Sequence, residues 1–191
     1  MYSGKGDYMI HTAYDVMREY MIIGAELDGS YQIPMLDRYT ERPGEDTVDF
    51  KDSFSPKIKN HRKLTMNFYI HDCEFEKIWN NPDRYLEHLK CFHSVIGPDF
   101  SMSVGENGMP FAMNIWQKYR NHALSYYLSM NGIKVIPNVS IPPEYCYDWI
   151  FDGIPKRSTV ACCTNGRIKS RASREEFCIG FKEMERRLEP L

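Results

Sequence analysis

The chain has 191 residues, with 24 basic and 26 acidic side chains and a net charge of −2. That length can bury a hydrophobic core without disulfide or metal staples, and the balanced charge excludes a whole-surface polyanion binder while leaving room for a local basic patch. No apolar run approaches the roughly 18 residues that span a bilayer, and six cysteines with neither a C-x-x-C pair nor a secretory signal point to reduced thiols in a cytoplasmic protein.

In chain order, the spacing of Ala13, Met17, Tyr20, Met21 and Gly24 predicts a helix from His11 to Gly24, with Thr12 as its N-cap. Residues 25–62 are broken by Gly29, Pro34, Pro43, Gly44 and Pro56 and read as an irregular arm, with short strands possible near Tyr31–Ile33 and Thr47–Phe50. Residues 63–191 form the regular part. Leu64–Ile70 alternates as a strand. Glu74–Lys90 is helical, with a break at Asn81-Pro82. Ser94–Ile96 is a second strand, and a long helix opens at Pro110 and ends at Asn131-Gly132. Ile133–Ile136 is a third strand, and Pro142–Trp149 a short helix. Ser158–Cys162 is a fourth strand, and Ser173 with Glu176 forms a capping box before the last helix. This βα alternation predicts an α/β fold: a mostly parallel open sheet of about four strands flanked by helices in three layers. The alternative is a partial (β/α) barrel.

Ligands of open parallel sheets bind beyond the carboxyl ends of the strands. The residues delivered there are Asp72, Asp99 and Ser101, Asn138, and the Thr164–Arg171 loop. Asp72 and Asp99 are the candidate catalytic pair. Two neighbouring carboxylates can divide acid and base work or share a divalent metal such as Mg²⁺, although each can also serve only as a cap or turn residue. Ser101, Asn138, Thr164, Asn165, Arg167 and Lys169 are candidate substrate contacts, since a strand–Gly loop–helix unit with basic side chains can hold a phosphate. Arg120, on the long helix, is a candidate counter-ion. The loop lacks both the dinucleotide and the P-loop fingerprints. A second basic run, Lys57–Lys63, falls at the opposite edge of the sheet, which argues against one continuous nucleic-acid track.

Phe68-Tyr-Ile-His-Asp72, Phe75-Glu-Lys-Ile-Trp-Asn-Asn-Pro82, Val95-Ile-Gly-Pro-Asp-Phe-Ser101, Ile115-Trp-Gln-Lys-Tyr-Arg-Asn121, Asn131-Gly-Ile-Lys-Val-Ile-Pro-Asn138 and Phe151-Asp-Gly-Ile-Pro155 occur in this order. Together with Tyr31-Gln-Ile-Pro34 they resemble the family known as domain of unknown function 4417, over roughly residues 25–190. The resemblance implies a phage or mobile-element setting and offers no reaction. It also implies a further strand after the last helix, whereas this sequence ends at Leu191. Two functions are expected from the whole. One is a strand-end carboxylate site that binds or processes a phosphate-bearing ligand, a nucleotide or nucleic acid. The other is a non-catalytic protein that binds a host or phage partner, for example an inhibitor of a host defence complex such as an anti-CRISPR. The 13 Tyr and 11 Met suit a contact surface.

Overall fold

A computed structural model describes residues 15–191. The expected N-cap Thr12 and the first turn of the first predicted helix lie outside the described residues. What is described of that segment is a 3-10 turn at Glu19–Ile22, after which the chain turns at Gly24 with a positive φ of 83°.

Two strands, β1 (Leu27–Asp28) and β2 (Ile33–Pro34), pair as a small antiparallel ribbon. Four more, β3 (Asp46–Asp49), β4 (Leu64–Asn67), β5 (Ser94–Ile96) and β6 (Val135–Ile136), form one parallel sheet in the order β3-β4-β5-β6. The registers run Thr47 to Thr65, Met66 to Val95 and Ile96 to Ile136. Helices α1 (Asp72–Asn80), α2 (Asp83–Leu89), α3 (Phe111–Met130) and α4 (Arg171–Leu188) flank the sheet. The architecture is the expected α/β one. Each strand lies beside its successor, as βα crossovers of constant hand produce.

Alternation along the strands sorts the side chains into two faces. Val48, Met66 and Val95 join Phe75, Ile78, Trp79, Leu89, Leu124 and Leu128 of the helices in one apolar core. The other face is more polar. Thr65 and Ser94 share a hydroxyl hydrogen bond of 2.8 Å, Thr65 also accepts from the Gly44 amide at 2.7 Å, and Tyr39 covers Ile96 and Ile136. A second core gathers Val139, Ile141, Trp149, Ile150 and Ile154 under Phe177, Met184 and Leu188 of α4.

Several local expectations are corrected. The short strand expected near Thr47–Phe50 forms at residues 46–49, and not as a local piece of an arm but as the parallel edge strand of the main sheet, with Phe50 just after it fully buried. The fourth strand expected at Ser158–Cys162 is reduced to a single parallel bridge between Asn138 and Ala161. Its upstream groups are committed elsewhere: the Thr159 amide donates to the Tyr39 carbonyl at 2.7 Å, and Ser158 Oγ accepts from the Tyr39 amide at 3.0 Å. The capping box of α4 is formed by Ser170 and Ser173, not by Ser173 and Glu176. The predicted helix at Pro142–Trp149 is a 3-10 turn at Glu144–Cys146. Among the described residues, no helix is long and apolar enough to cross a membrane.

Candidate functional site

The segments that follow β4, β5, β6 and the Ala161 bridge meet at the carboxyl edge of the sheet. They enclose a cleft of about 550 Å³, lined by Tyr69 and His71, by Asp99 and Ser101, by Asn138, and by Cys163, Asn165 and Arg167. Val139, Ile141, Pro142, Trp149 and Ile150 supply an apolar wall. Its volume lies within the range of clefts that hold small molecules.

At its base lies a chain of directed hydrogen bonds. Tyr69 Oη donates to Asn138 Oδ1 at 3.0 Å. Asn138 Nδ2 donates to Asp99 Oδ1 at 2.9 Å and toward the Pro98 carbonyl at 3.3 Å. Burial, together with nearby Asp99, holds the Tyr69 phenol far above its ordinary value, so it stays protonated and remains a donor. Both hydrogens of the Asn138 amide are thereby used, and its orientation is fixed. Asp99 is raised to about 6, chiefly because burial penalises its charged form; the Asn138 hydrogen bond opposes the shift and the Asp72 charge adds to it. Its Oδ2 has no hydrogen-bond partner among the described residues, and the residue lines the cleft.

Asp72 begins α1, in the first turn where the helix dipole favours a carboxylate. Both of its oxygens accept from Ser101, from the backbone amide at 3.2 and 3.1 Å and from Oγ at 2.8 Å. It clamps the loop after β5 onto α1 and leaves Asp99 to face the cleft. Among the described residues, no group of three or more His, Cys, Asp or Glu is arranged to hold a metal ion.

The predicted loop divides. Asn165 and Arg167 line the cleft. Arg167 Nη2 donates to the Ile141 carbonyl at 2.7 Å and lies 3.7 Å from Glu176, which braces the guanidinium at the rim. Thr164 accepts through its carbonyl from the Arg167 amide at 3.0 Å, so it shapes the turn. Neither Thr164 nor Lys169 lines the cleft.

Arg120 is placed away from the cleft. Its guanidinium lies 3.6 Å from the centroid of the Phe100 ring and 5.0 Å from that of Trp79, and it pairs with Glu76 at 2.5 Å and Gln117 at 3.0 Å. It supports the backbone on which Asp99 and Ser101 sit.

Sequence reasoning missed Tyr69, His71, Trp149 and Cys163. Tyr69 and His71 were visible as the residues running off β4, the same signal that marked Asp72. Trp149 reaches the cleft only through the packing of a 3-10 segment, which has no sequence signature. Burial pushes the Cys162 and Cys163 thiols up, the reverse of what an activated nucleophile needs.

The chain is similar to the "Gene 1 protein" of Mycobacterium phage L5, with 34% identity over 125 residues, 65% of this chain and 53% of that protein. It is similar also to the "Gene 1 protein" of Mycobacterium phage D29, with 31% identity over 125 residues, 65% of this chain and 45% of that one. It spans about half the length of these curated relatives. No solved structure matches. The profile of the family described as "Domain of unknown function (DUF4417)" matches residues 25–191, and the chain belongs to that family.

Proposed function

We propose that the strand-end cleft binds a phosphate-bearing ligand of the mononucleotide class, with Arg167 on the phosphate and Asp99 on the opposite, polar end. The observation that carries this reading is the convergence of three successive strand ends and the Ala161 bridge on one cleft, lined by a carboxylate that titrates near 6 and by the Arg167 cation. The apolar wall of Val139, Ile141 and Trp149 suits a flat ring between the two. A group titrating near 6 can also give or take a proton at physiological pH, so Asp99 is the residue through which any processing of the ligand would run. The free thiols suit a cytoplasmic setting.

The test is calorimetric titration of the protein with AMP, GMP, CMP, UMP and inorganic phosphate. Binding of at least one nucleotide is expected, weakened about tenfold or more by Arg167→Ala and partly restored by Arg167→Lys. Absence of binding for every nucleotide would remove the reading.

A second reading is a non-catalytic binder of a host or phage protein, such as an inhibitor of a host defence complex. Its support is the edge-to-face pair Tyr31–Phe111, with ring centroids 5.7 Å apart and both side chains exposed. A partner captured from host lysate by the wild type, lost with Tyr31→Ser/Phe111→Ser and kept with Asp99→Asn, would favour it.

A further inference from the structure

The directed bonds at the base of the cleft specify what it presents to a ligand. Asp99 and the Pro98 carbonyl both accept from Asn138 Nδ2, so the amide nitrogen faces them and its oxygen accepts from Tyr69 Oη. Asn138 has no hydrogen left for a ligand, because its second one points to the Pro98 carbonyl. Asp99 Oδ1 is occupied, and Oδ2 is the oxygen left open. Ser101 Oγ spends its hydrogen on Asp72, so toward the cleft it too offers lone pairs only. At Asp99 and Ser101 the cleft thus offers acceptors, while His71, Ser140, Asn165 and Arg167 are the lining side chains able to donate.

We propose that these acceptors read the exocyclic amino group of a nucleobase, so that the cleft takes amino-bearing bases such as cytosine or adenine and rejects their oxo counterparts. The inference rests on the nucleotide reading above. The physical reason is pairing. An amino group gives Asp99 Oδ2 and Ser101 Oγ the hydrogens they lack, whereas a carbonyl oxygen at the same place sets acceptor against acceptor in a partly dehydrated cleft. Asn138 acts as a positioning residue, because it fixes which carboxylate oxygen is free. Tyr69 in turn fixes Asn138.

The experiment compares ligands that differ at that one group, CMP with UMP and AMP with IMP, by calorimetry at pH 7.5 on the full chain. At least tenfold tighter binding of CMP than UMP, or of AMP than IMP, is expected. Asp99→Asn keeps an oxygen for the Asn138 donor and turns an NH₂ toward the cleft, so the preference should vanish or invert toward UMP and IMP. Tyr69→Phe removes the donor to Asn138 Oδ1, loosening one of the three bonds that hold the amide, and should shrink the preference while Asp99 is retained. Thermal melts of each variant establish that it is folded. Equal binding of amino and oxo partners in the wild type, or an unchanged preference in Asp99→Asn, overturns this inference and leaves the nucleotide reading standing. No binding of any of the four overturns this inference, and no binding of GMP either overturns both.

Discussion

Lys118 and His122 lie one turn apart on α3, fully buried, with Nζ and Nε2 3.0 Å from each other. His122 Nδ1 is 2.9 Å from the Pro34 carbonyl and so carries the proton, which leaves Nε2 as an acceptor for Lys118. Burial lowers Lys118 to about 7, against the raising pull of Asp152 and Asp28. It also holds His122 well below its ordinary value, with the Lys118 charge adding to that and the Pro34 carbonyl opposing it. Both groups favour their neutral forms in the folded chain. For Lys118 the folded value lies below the unfolded one, so its penalty is absent above the unfolded value, grows as pH falls toward about 7 and is complete below it. Thermal stability should therefore rise between pH 7 and 9, with a limiting slope of about 1.4 kcal/mol per pH unit from this group. Melting curves of Lys118→Met should be flat across that window. A slope equal to the wild type would assign the effect elsewhere.

Asp99 supplies the opposite sign. Its folded value, about 6, lies above the ordinary carboxylate value, so the folded chain gains stability as pH falls from about 6 toward 4 and carries the cost above 6. Asp99→Asn, which keeps the shape and an acceptor for Asn138, should stabilise the protein at pH 7 by roughly 1–3 kcal/mol. Urea unfolding at pH 7 and pH 4.5 measures this. The gain should be present at the higher pH and largely gone at the lower.

Arg120 holds its place by stacking and pairing together. Replacing it with Lys keeps the charge but loses the planar contact with Phe100 and the fork toward Glu76 and Gln117. Destabilisation of about 2 kcal/mol is expected for Arg120→Lys, and about 3–4 kcal/mol for Arg120→Ala, which leaves Gln117 unpaired. Equal losses for the two would mean that the side-chain stem alone carries the contribution.

Gly153 and Gly132 share a positive φ, 72° and 83°, but not their surroundings. A β-carbon at Gly153 would lie 2.6 Å from the Pro34 oxygen and 2.7 Å from His122 Nδ1, whereas one at Gly132 would meet nothing within 4 Å. Gly132→Ala should cost only the left-handed backbone term, about 1 kcal/mol. Gly153→Ala should cost roughly 3 kcal/mol or more, since it also pries the β1–β2 ribbon from α3. Chemical denaturation of the two variants should separate them clearly.

The helical stretches and the carboxyl-edge residues were legible because each leaves a short-range mark. Asn81-Pro82 separates α1 from α2, Pro110 and Gly132 bracket α3, and Asp99 and Asn138 follow apolar triplets that can only be strand ends. β3 was harder to assign, because Asp46 and Asp49 frame a single buried Val48 and its partner β4 is chosen by long-range pairing. The buried face of α3 is not marked by hydrophobic residues alone, for a chemical reason. Phe111, Met113 and Met130 are exposed, while Asn114, Lys118, Arg120, Asn121 and His122 are buried. Most of their polar ends find partners: Asn121, for instance, accepts from the Phe100 amide at 2.7 Å, while Asn114 Oδ1 and Arg120 Nε have none among the described residues. A hydrophobic count cannot anticipate such satisfied polar burial. Arg120 was drawn toward the site by its charge, yet its partner Glu76 sits 44 residues earlier on α1, a pairing that no local pattern announces.

The one-way strand order, β3 to β6 with the Ala161 bridge beyond, also bears on how the molecule is made. Tyr69 and His71, then Asp99 and Ser101, then Asn138, and last Cys163, Asn165 and Arg167 line the cleft in the same sequence in which a ribosome releases them. Each new wall docks on one already present, and none has to wait for a distant segment to be inserted between two earlier strands. A nascent chain can therefore assemble its binding edge progressively from one side to the other.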